Sequence, residues 1–335
     1  MKWLITGGCG FIGTGLIANL LAEGGHSIRV LDNLLVGDRE DLGKVCSFTE
    51  ADSAGPGPMK DSGVELVVGD IRTADLTLRS VEGADIIVHL AANTGVEPSV
   101  NDPRLDCETN VIGVLNMLEA ARMQGVGRFV FASSGAPLGE VVPPIHEEMA
   151  PHPVSPYGAS KLAGEGYCSA YKRTFGVDTV ALRFGNVYGQ GSIHKSSVVA
   201  KFIKLALDGK DWEIYGSGRQ TRDFIYLDDL LHALRLSATI NNVGGEAFQI
   251  ATARETTVLE MAEMLSEALV EAGIARPTIH HAEQRQGDVM RNYSDTSKAD
   301  ARLGWAAETA LPEGLRRTVA FFTQRADQST ISDIQ

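Results

Sequence analysis

A glycine-rich turn near the beginning of the chain restricts its fold more than any other feature. The apolar run Lys2–Thr6 leads into GGCGFIG at Gly7–Gly13, and helical periodicity starts within this turn and continues to Glu23. The turn contains both the G-x-G-x-x-G spacing and its G-x-x-G-x-x-G variant. Such glycines allow a tight turn, close approach of the backbone to a pyrophosphate and close packing of helix on strand. Glycines alone also fit a purely structural turn, but the order strand, turn and helix predicts a dinucleotide-binding unit.

Apolar runs alternate with helical patterns in the first half of the chain. The runs are rich in Val, Ile and Leu with little polar alternation, as expected for strands covered on both faces. Because such units join by right-handed crossovers, we predict an α/β fold with a Rossmann-type doubly wound parallel sheet. The predicted strands are Lys2–Thr6, Ser27–Asp32, Val64–Asp70, Asp85–Ala91, Arg128–Ser134 and Asp178–Phe184, and the predicted helices are Ile12–Glu23, Thr109–Met123 and Tyr157–Phe175.

The pattern changes after about Val187, where the predicted segments become shorter. We predict a Rossmann-like NAD-binding domain over residues 1–187, a smaller α/β substrate-binding domain over 188–325 and a disordered tail over 326–335. The Gly- and Pro-rich stretch Ser47–Gly63 predicts a surface insertion. The predicted elements of the second part are the helices Ser196–Asp208, Leu227–Thr239 and Val258–Glu271 and the strands Trp212–Tyr215 and Ala247–Ala251.

Charge and cysteine usage exclude several classes of function. Lys and Arg number 30 against 43 Asp and Glu, a net charge of -13, which argues against binding to nucleic acid or to anionic membranes. The four cysteines form no C-x-x-C, so neither a disulfide framework nor a metal site is expected. The chain contains no run of about 20 apolar residues and no signal-peptide pattern. We therefore expect a soluble, cytoplasmic protein.

The residues after the second and third strands predict NAD as the dinucleotide. Asp32 ends the second strand, where an acid accepts both ribose hydroxyls of NAD and repels the 2′-phosphate of NADP. Asn33-Leu34-Leu35 follow, and the next Arg is Arg39, which also favours NAD. Asp70, after the third strand, is placed to reach the adenine amine or else to cap the next helix.

Three further residues predict the chemistry. Ser134 ends the fifth strand, at the sheet edge where such folds place their reactive groups. Tyr157 and Lys161 are four residues apart and therefore project from one helix face. A phenol has an ordinary pKa of about 10, and an ammonium group beside it favours the phenolate. Tyr-x-x-x-Lys is also a common surface pair, but with the glycine turn, Asp32 and Ser134 it predicts a general base.

The chain resembles the extended short-chain dehydrogenase/reductase family, and in particular its nucleotide-sugar epimerases of the UDP-glucose 4-epimerase type. The resemblance covers nearly the whole length. Besides the motifs above, it rests on His89-Leu90-Ala91-Ala92, Thr109-Asn110 before Gly113, Leu182-Arg183-Phe184-Gly185-Asn186-Val187-Tyr188-Gly189, Arg222-Asp223-Phe224-Ile225-Tyr226-Leu227-Asp228-Asp229-Leu230 and Arg285-Gln286-Gly287-Asp288.

The resemblance implies a role for each matching residue. Ser134, Tyr157 and Lys161 match the catalytic triad. The positions that match NAD contacts are Gly7, Gly10, Phe11, Ile12, Gly13, Asp32, Asn33, Asp70, Ile71, Ala91 and Lys161. The positions that match substrate contacts are Ser134, Asn186, Arg222, Arg285 and Asp288, with the two arginines clamping the pyrophosphate and Asp288 on the uridine ribose. For Arg222 a surface ion pair with Asp223 or Asp228 is the alternative.

The implied activity is NAD-dependent 4-epimerisation of a UDP-sugar. Tyr157 takes the proton of the 4-hydroxyl as hydride leaves C4, the 4-keto sugar turns, and hydride returns to the opposite face. NAD stays tightly bound and is regenerated in each turnover. The family also implies a homodimer that pairs through Thr109–Met123 and Tyr157–Phe175, although the apolar positions of those helices also fit packing on their own sheet.

Two departures bear on the alternatives. Leu138 stands where the family has a tyrosine, which affects the pocket wall. Related 4,6-dehydratases carry an Asp-Glu pair after the catalytic Ser or Thr, whereas this chain has Gly135-Ala136, which disfavours dehydration. A non-catalytic NAD-binding regulator is disfavoured because Tyr157 and Lys161 are both present.

The identity of the sugar stays open at this point. UDP-glucose/UDP-galactose is favoured, and UDP-glucuronate/UDP-galacturonate is the alternative. Asn292, of medium size, falls near the position that limits N-acetyl groups in the family. Lys195 is a candidate partner for a uronate carboxylate, or simply an exposed lysine.

Overall fold

A computed structural model describes residues 1–52, 55–194, 197–283 and 289–332 of the chain. In these ranges the strands are β1 (Lys2–Thr6), β2 (Ser27–Asp32), β3 (Thr49–Glu50), β4 (Gly63–Val68), β5 (Ile86–His89), β6 (Arg128–Ser134), β7 (Thr179–Phe184), β8 (Asn186–Tyr188), β9 (Trp212–Tyr215), β10 (Thr221–Arg222), β11 (Phe224–Tyr226), β12 (Glu246–Ile250), β13 (Thr256–Thr257) and β14 (Ile279–Ala282).

The helices in the same ranges are α1 (Phe11–Glu23), α2 (Arg39–Gly43), α3 (Ala74–Val81), α4 (Val96–Asn101), α5 (Pro103–Cys107), α6 (Gly113–Gln124), α7 (Pro156–Phe175), α8 (Val198–Leu207), α9 (Leu227–Thr239), α10 (Val258–Glu271), α11 (Ser297–Leu303) and α12 (Leu311–Ser332). A π-helical turn, Glu108–Ile112, joins α5 to α6, and 3-10 turns occur at Ala136–Leu138 and Ser192–His194.

Eight strands form one parallel sheet in the order β12-β7-β6-β5-β1-β2-β4-β3. The order reverses direction on either side of β1, which is the doubly wound arrangement predicted from the sequence. The predicted strands that became β1, β2 and β6 have the predicted bounds, whereas β4 ends at Val68 and β5 covers only Ile86–His89. The predicted fold class is confirmed.

Apolar side chains cover both faces of this sheet. One face packs against α1 and α9 through residues such as Leu16, Leu20 and Leu230. The other face packs against α6 and α7 through residues such as Met117 and Tyr171. Burial on both faces explains why the strand sequences are continuously apolar rather than alternating.

A separate core lies in the second half of the chain. Phe202 of α8 stacks on Trp212 of β9 with ring centroids 4.7 Å apart, and both pack with Leu265 of α10 and Leu315 of α12. However, α9 packs on the large sheet and β12 extends it beside β7. The segment 188–325 therefore contributes to both cores, and its assignment mainly to a substrate-binding domain stays a prediction.

Two other segments are more ordered than their composition predicts. Within Ser47–Gly63, β3 pairs with β4, Met59 is buried, and the Gly57 carbonyl accepts a 2.8 Å hydrogen bond from Arg29 Nη2. The described part of this predicted insertion is thus attached to the sheet edge. At the other end, α12 continues to Ser332, through most of the predicted tail 326–335.

Candidate active site

A cavity of about 500 Å³ opens at the carboxyl ends of the central strands, between the two cores. In parallel sheets this edge collects the residues that follow each strand, so residues distant in sequence meet there. Predicted site residues that line the cavity are Ile12, Ser134, Tyr157, Lys161, Asn186 and Arg222. Lys201, Glu213, Tyr215 and Gln220 also line it, and the sequence pattern did not single them out.

The glycine turn between β1 and α1 leaves no room for side chains at two positions. Gly7 has φ +68°, and a Cβ there would lie 2.8 Å from the backbone nitrogen of Ala91. A Cβ on Gly13 would lie 2.5 Å from the Cα of Gly8. Real Cβ atoms do not approach other atoms so closely, so both positions require glycine. The turn that leads into α1 is therefore packed backbone against backbone, as the glycine pattern predicts.

Asp32 closes this turn from the end of β2. Its carboxylate accepts hydrogen bonds from the backbone N–H groups of Cys9, at 2.9 Å, and Leu34, at 2.8 Å. Burial raises the pKa of Asp32 above its ordinary value, and the two backbone hydrogen bonds oppose that shift. The acid is thus held beside the glycine turn, where the sequence predicts the ribose.

Asp70 faces a second, shallower cavity of about 390 Å³ together with Arg72 and Glu108. Its carboxylate accepts hydrogen bonds from Arg72 and from Asn33 Nδ2, and the hydrogen bond from Arg72 lowers its pKa. The helix-cap alternative is not what the structure contains, because α3 has Thr73 at its N-cap. The side chain of Ile71 is buried in the core.

Ala91 lies opposite the glycine turn, just beyond β5. Its backbone nitrogen donates to Thr6 Oγ1 at 3.2 Å, and the same hydroxyl lies 2.8 Å from His89 Nδ1. Complete burial lowers the pKa of His89 to about 3, so its ring is neutral and serves as a hydrogen-bonding group.

Tyr157 and Lys161 lie on the first turns of α7. The helix begins there because Ser155 caps it, accepting a 3.1 Å hydrogen bond from Gly158 N, and Pro156 fits the first helical position. Lys161 Nζ donates to the carbonyl of Ala132 at 2.9 Å and lies 5.8 Å from the centre of the Tyr157 ring. The predicted juxtaposition of the two side chains is therefore present.

Burial shifts the pKa values of Tyr157 and Lys161 in opposite directions, because it disfavours the charged form of each group. Desolvation raises the pKa of Tyr157 to about 12, while a hydrogen bond with Ser134 lowers it and the charge of Asp106 raises it. Desolvation lowers the pKa of Lys161 to about 8, while Asp106 and Glu165 raise it. At neutral pH Lys161 is thus predominantly charged, and its charge favours the Tyr157 phenolate.

A cluster of hydrogen-bonded polar residues connects α7 to the π-helical turn. Asn110, within the π-helical turn, donates from Nδ2 to Asp106 Oδ1 at 2.9 Å and to Ser160 Oγ at 3.2 Å, and it bonds the backbone of Asn93. All but Asn93 are buried. The predicted helix Thr109–Met123 therefore starts with π-helical geometry, which occurs frequently at functional sites.

The predicted substrate residues divide into two groups. Asn186 and Arg222 line the cavity, and Arg222 Nη1 donates to the carbonyls of Thr221 and Val289. Asp223, its suggested ion-pair partner, is instead buried and accepts hydrogen bonds from Thr252 and Ser294. Arg285, Asp288 and Lys195 lie outside the described residues.

Leu138, the departure expected to affect the pocket wall, and Asn292, the residue considered for N-acetyl groups, are not among the residues that line the cavity. Leu138 is fully buried at the end of the 3-10 turn Ala136–Leu138. Asn292 is half-buried, and its backbone nitrogen bonds Thr221 Oγ1 at 3.2 Å.

Similarity to known proteins identifies the family of this chain. Residues 3–251 match the model of the NAD dependent epimerase/dehydratase family. The chain belongs to this family. A UDP-glucose 4-epimerase of Mycolicibacterium smegmatis is 36% identical over 331 residues, which cover 97% of this chain and 100% of that protein.

Solved structures of other family members have the same fold. A UDP-glucose 4-epimerase of Thermotoga maritima, with UDP-glucose, is 33% identical with a TM-score of 0.86 and covers 97% of this chain and 100% of that one. A UDP-glucuronic acid 4-epimerase of Bacillus cereus, in complex with UDP-glucuronic acid and NAD, is 26% identical with a TM-score of 0.84 over 97% and 100% of the two chains. The chain is therefore an NAD-dependent enzyme similar to UDP-sugar 4-epimerases, which are isomerases.

The residues of this family member fit NAD. Gly10 is the N-cap of α1, and a Cβ there would meet only the Gly7 carbonyl oxygen, at 3.3 Å, while the Asp32 carboxylate lies at the same turn. A cofactor bound at this turn would approach the cavity, which Ile12, Tyr157 and Lys161 line. No helix in the described residues is long and apolar enough to cross a membrane.

Proposed function

We propose that this enzyme inverts C4 of a UDP-hexose, interconverting UDP-glucose and UDP-galactose through a transient 4-keto sugar. The observation that carries the proposal is the meeting of Ser134, Tyr157 and Lys161 at one cavity next to the glycine turn. A buried lysine beside a phenol is the arrangement needed to withdraw a proton from a sugar hydroxyl. The similarity to UDP-glucose 4-epimerases over nearly the whole chain supports the same activity.

In this mechanism Tyr157, as the phenolate, removes the proton of the 4-hydroxyl and later returns it. Lys161 stabilises the phenolate by its charge, and Ser134 donates a hydrogen bond to the reacting oxygen. When bound, NAD supplies the group that accepts hydride from C4 and gives it back. Because the pKa of Tyr157 is about 12 in this structure, charges and hydrogen bonds must lower it substantially for reaction at neutral pH.

The substrate end of the cavity holds the nucleotide while the sugar turns. Arg222 provides a guanidinium group for the diphosphate, and Asn186, which lines the same cavity, provides a further polar contact. We propose that Arg285 and Asp288 complete the nucleotide site. Holding the diphosphate firmly and the hexose loosely exposes both faces of C4 in turn.

Dehydration is disfavoured by the residues after Ser134. Elimination of water needs an acid and a base beside the sugar, and Gly135 and Ala136 provide neither. The chain similarly retains the whole Ser-Tyr-Lys set, which a non-catalytic NAD-binding regulator does not need.

UDP-glucuronate is the second candidate substrate. Among the described residues the cations that line the cavity are Lys161, Lys201 and Arg222. Lys161 is assigned to Tyr157 and Arg222 to the diphosphate, whereas Lys201 Nζ lies 5.9 Å from the centre of the Tyr215 ring. Lys201 and Lys195 are therefore the candidate partners of a uronate carboxylate, and their Ala variants test the point by the ratio of turnover on the two sugars.

The test is incubation of the purified enzyme with UDP-glucose, UDP-glucuronate and UDP-N-acetylglucosamine in separate samples, followed by NMR. We expect C4 inversion of UDP-glucose without added cofactor, because NAD remains bound. Inversion of only UDP-glucuronate would establish the second candidate. No inversion of any of the three, even with NAD supplied, would contradict the proposed function.

We further propose a cytoplasmic homodimer that pairs through α6 and α7. These helices and the adjoining π turn carry exposed apolar side chains, including Ile112, Met123 and Phe175. Sedimentation at micromolar concentration distinguishes a dimer from a monomer, and a monomer would contradict this proposal.

A further inference from the structure

Three residues of α7 face the last three residues of β6. Tyr157, Lys161 and Glu165 follow one another at intervals of four, so they lie on one face of the helix. Tyr157 hydrogen-bonds Ser134, Lys161 Nζ donates to the Ala132 carbonyl at 2.9 Å, and Glu165 Oε1 accepts from Ser133 Oγ at 2.5 Å. The proposed mechanism uses the first two contacts and leaves the third without a role.

Glu165 also connects this helix to the next strand. Arg183 of β7 donates to the Glu165 carboxylate from Nε at 2.8 Å and from Nη2 at 2.7 Å. Both side chains are only 7% exposed. Ser133 and Arg183 are directly paired in the sheet, so one carboxylate joins two adjacent strands to α7.

Stability alone does not account for such a contact. A buried ion pair is commonly replaceable by apolar residues of similar size without loss of stability. Its bonds are directional, however, so they fix the position of α7 along β6. Loss of this pair should therefore affect the alignment of the active-site groups more than the stability of the fold.

Close packing between α7 and β6 sets the distance between the helix and the strand. A Cβ on Gly164 would lie 2.4 Å from Cζ of Phe131, so the helix and β6 are as close as glycine permits. The Phe131 ring is also 5.0 Å from Lys161 Nζ. Since the separation is set by this contact, what the Glu165 carboxylate adds is control of sliding and rotation.

We propose that Glu165 is a positioning residue, which aligns Tyr157 and Lys161 with Ser134 by fixing α7 to the ends of β6 and β7 through Ser133 and Arg183. The inference rests on the proposed role of Tyr157 as the base. A displacement of reacting groups by about 1 Å costs about 100-fold in rate. Loss of the Glu165 contacts should therefore reduce kcat far more than it changes substrate binding.

The first test removes one hydrogen bond and leaves the buried ion pair intact. Ser133→Ala should reduce kcat about tenfold or more, with KM for the UDP-sugar within about twofold of the wild type. Ser133→Thr, which retains the hydroxyl, should restore most of the rate. A wild-type kcat for Ser133→Ala, or equal loss in both variants, would overturn the proposal.

The second test replaces the ion pair. Glu165→Gln alone leaves a buried arginine without its counter-charge and is expected to unfold readily. The double variant Glu165→Met with Arg183→Leu keeps the volume and should remain folded, with kcat reduced at least tenfold. Glu119→Gln is the matched control, because Glu119 accepts a 2.6 Å hydrogen bond from Tyr171 of α7 at a distance from the cavity. A folded double variant with the kcat of this control would overturn the proposal.

A readout without turnover separates this inference from the proposed function. The ultraviolet absorbance of tyrosinate, taken as the difference from a Tyr157→Phe background, follows the titration of Tyr157 alone. Ser133→Ala should shift this titration to higher pH, because Ser134 no longer aligns with the phenol and its hydrogen bond lowers the pKa of Tyr157. An unchanged titration would contradict the alignment, whereas failure of the enzyme to invert any sugar would contradict the function and leave the titration result standing.

Discussion

Replacement of Lys161 by Met removes the charge that favours the Tyr157 phenolate. Lys161 is 3% exposed and its Nζ lies 5.8 Å from the centre of the Tyr157 ring. With an effective dielectric constant of about 20, two unit charges at this distance interact by about 3 kcal/mol. Because one pKa unit corresponds to about 1.4 kcal/mol, the charged lysine should lower the pKa of Tyr157 by about two units at any pH where the lysine is protonated, and the substitution removes this effect.

The expected consequence is a loss of about 100-fold in kcat at neutral pH, with UDP affinity nearly unchanged. The pH dependence should change as well. Burial lowers the pKa of Lys161 to about 8, so its charge is present below that pH and disappears as the pH rises through it. Raising the pH should therefore narrow the difference in kcat between the wild type and Lys161→Met, because at high pH the wild type also lacks a positive charge at this position.

We expect Lys161→Met to raise the stability of the protein at neutral pH although it lowers the activity. The folded-state pKa of Lys161 lies below its ordinary value, so between about pH 8 and pH 10 the unfolded chain binds a proton that the folded protein does not. The buried lysine thus costs stability fully below pH 8, and this cost fades as the pH rises toward the pKa of the unfolded chain. Lys161→Met should consequently have a higher Tm at neutral pH, which excludes unfolding as the reason for lost activity.

The assay combines C4 inversion by NMR, repeated from neutral pH to above pH 8, with UDP binding by calorimetry. Lys172→Met is the matched control, since Lys172 belongs to the same helix but pairs with Asp178 at 2.6 Å near its far end. The control should have the wild-type rate. The electrostatic reasoning is refuted if Lys161→Met keeps the wild-type kcat, or if the difference in kcat between the two proteins does not narrow as the pH rises through about 8.

Four other substitutions test the remaining assignments. Tyr157→Phe should lower kcat by about 100-fold or more while calorimetry finds UDP binding unchanged, and a wild-type rate would exclude this residue as the base. Asp32→Ala should reduce the NAD retained after purification, measured by absorbance of the denatured supernatant, and full retention would contradict its ribose role. Gly13→Ala would place Cβ 2.5 Å from Gly8 Cα, so we expect loss of bound NAD or a fall in Tm, and neither change would contradict the close packing. Arg222→Met should weaken UDP binding about tenfold or more in calorimetry with kcat at saturation less affected, whereas equal affinity would remove it from the diphosphate site.

The large sheet could be predicted because its signal is local. β1, β2 and β6 are continuous apolar runs that end at turn residues, and their observed bounds match the prediction. The role of β12 could not be predicted in the same way. It joins the large sheet through β7, a pairing that depends on contacts distant in sequence.

In the candidate site, too, contacts that are local in sequence could be predicted and contacts between distant segments could not. Tyr157 and Lys161 share a helix face, so their spacing alone predicts their proximity. Glu165 has the same spacing from Lys161, but its importance depends on Ser133 and Arg183 from two strands, and nothing in the local pattern indicates those contacts. The alternative of an ion pair between Arg222 and Asp223 also depended on contacts that the local sequence does not indicate, because Asp223 is buried and accepts hydrogen bonds from Thr252.

The most direct test of the account is epimerisation in deuterated water. If the purified enzyme oxidises C4 and returns the same hydride to the other face, UDP-galactose formed from UDP-glucose will carry protium at C4, which proton NMR detects at that position. Deuterium at C4 would mean that the hydrogen exchanges with solvent during inversion, and it would contradict the hydride-transfer mechanism proposed for Ser134, Tyr157 and Lys161.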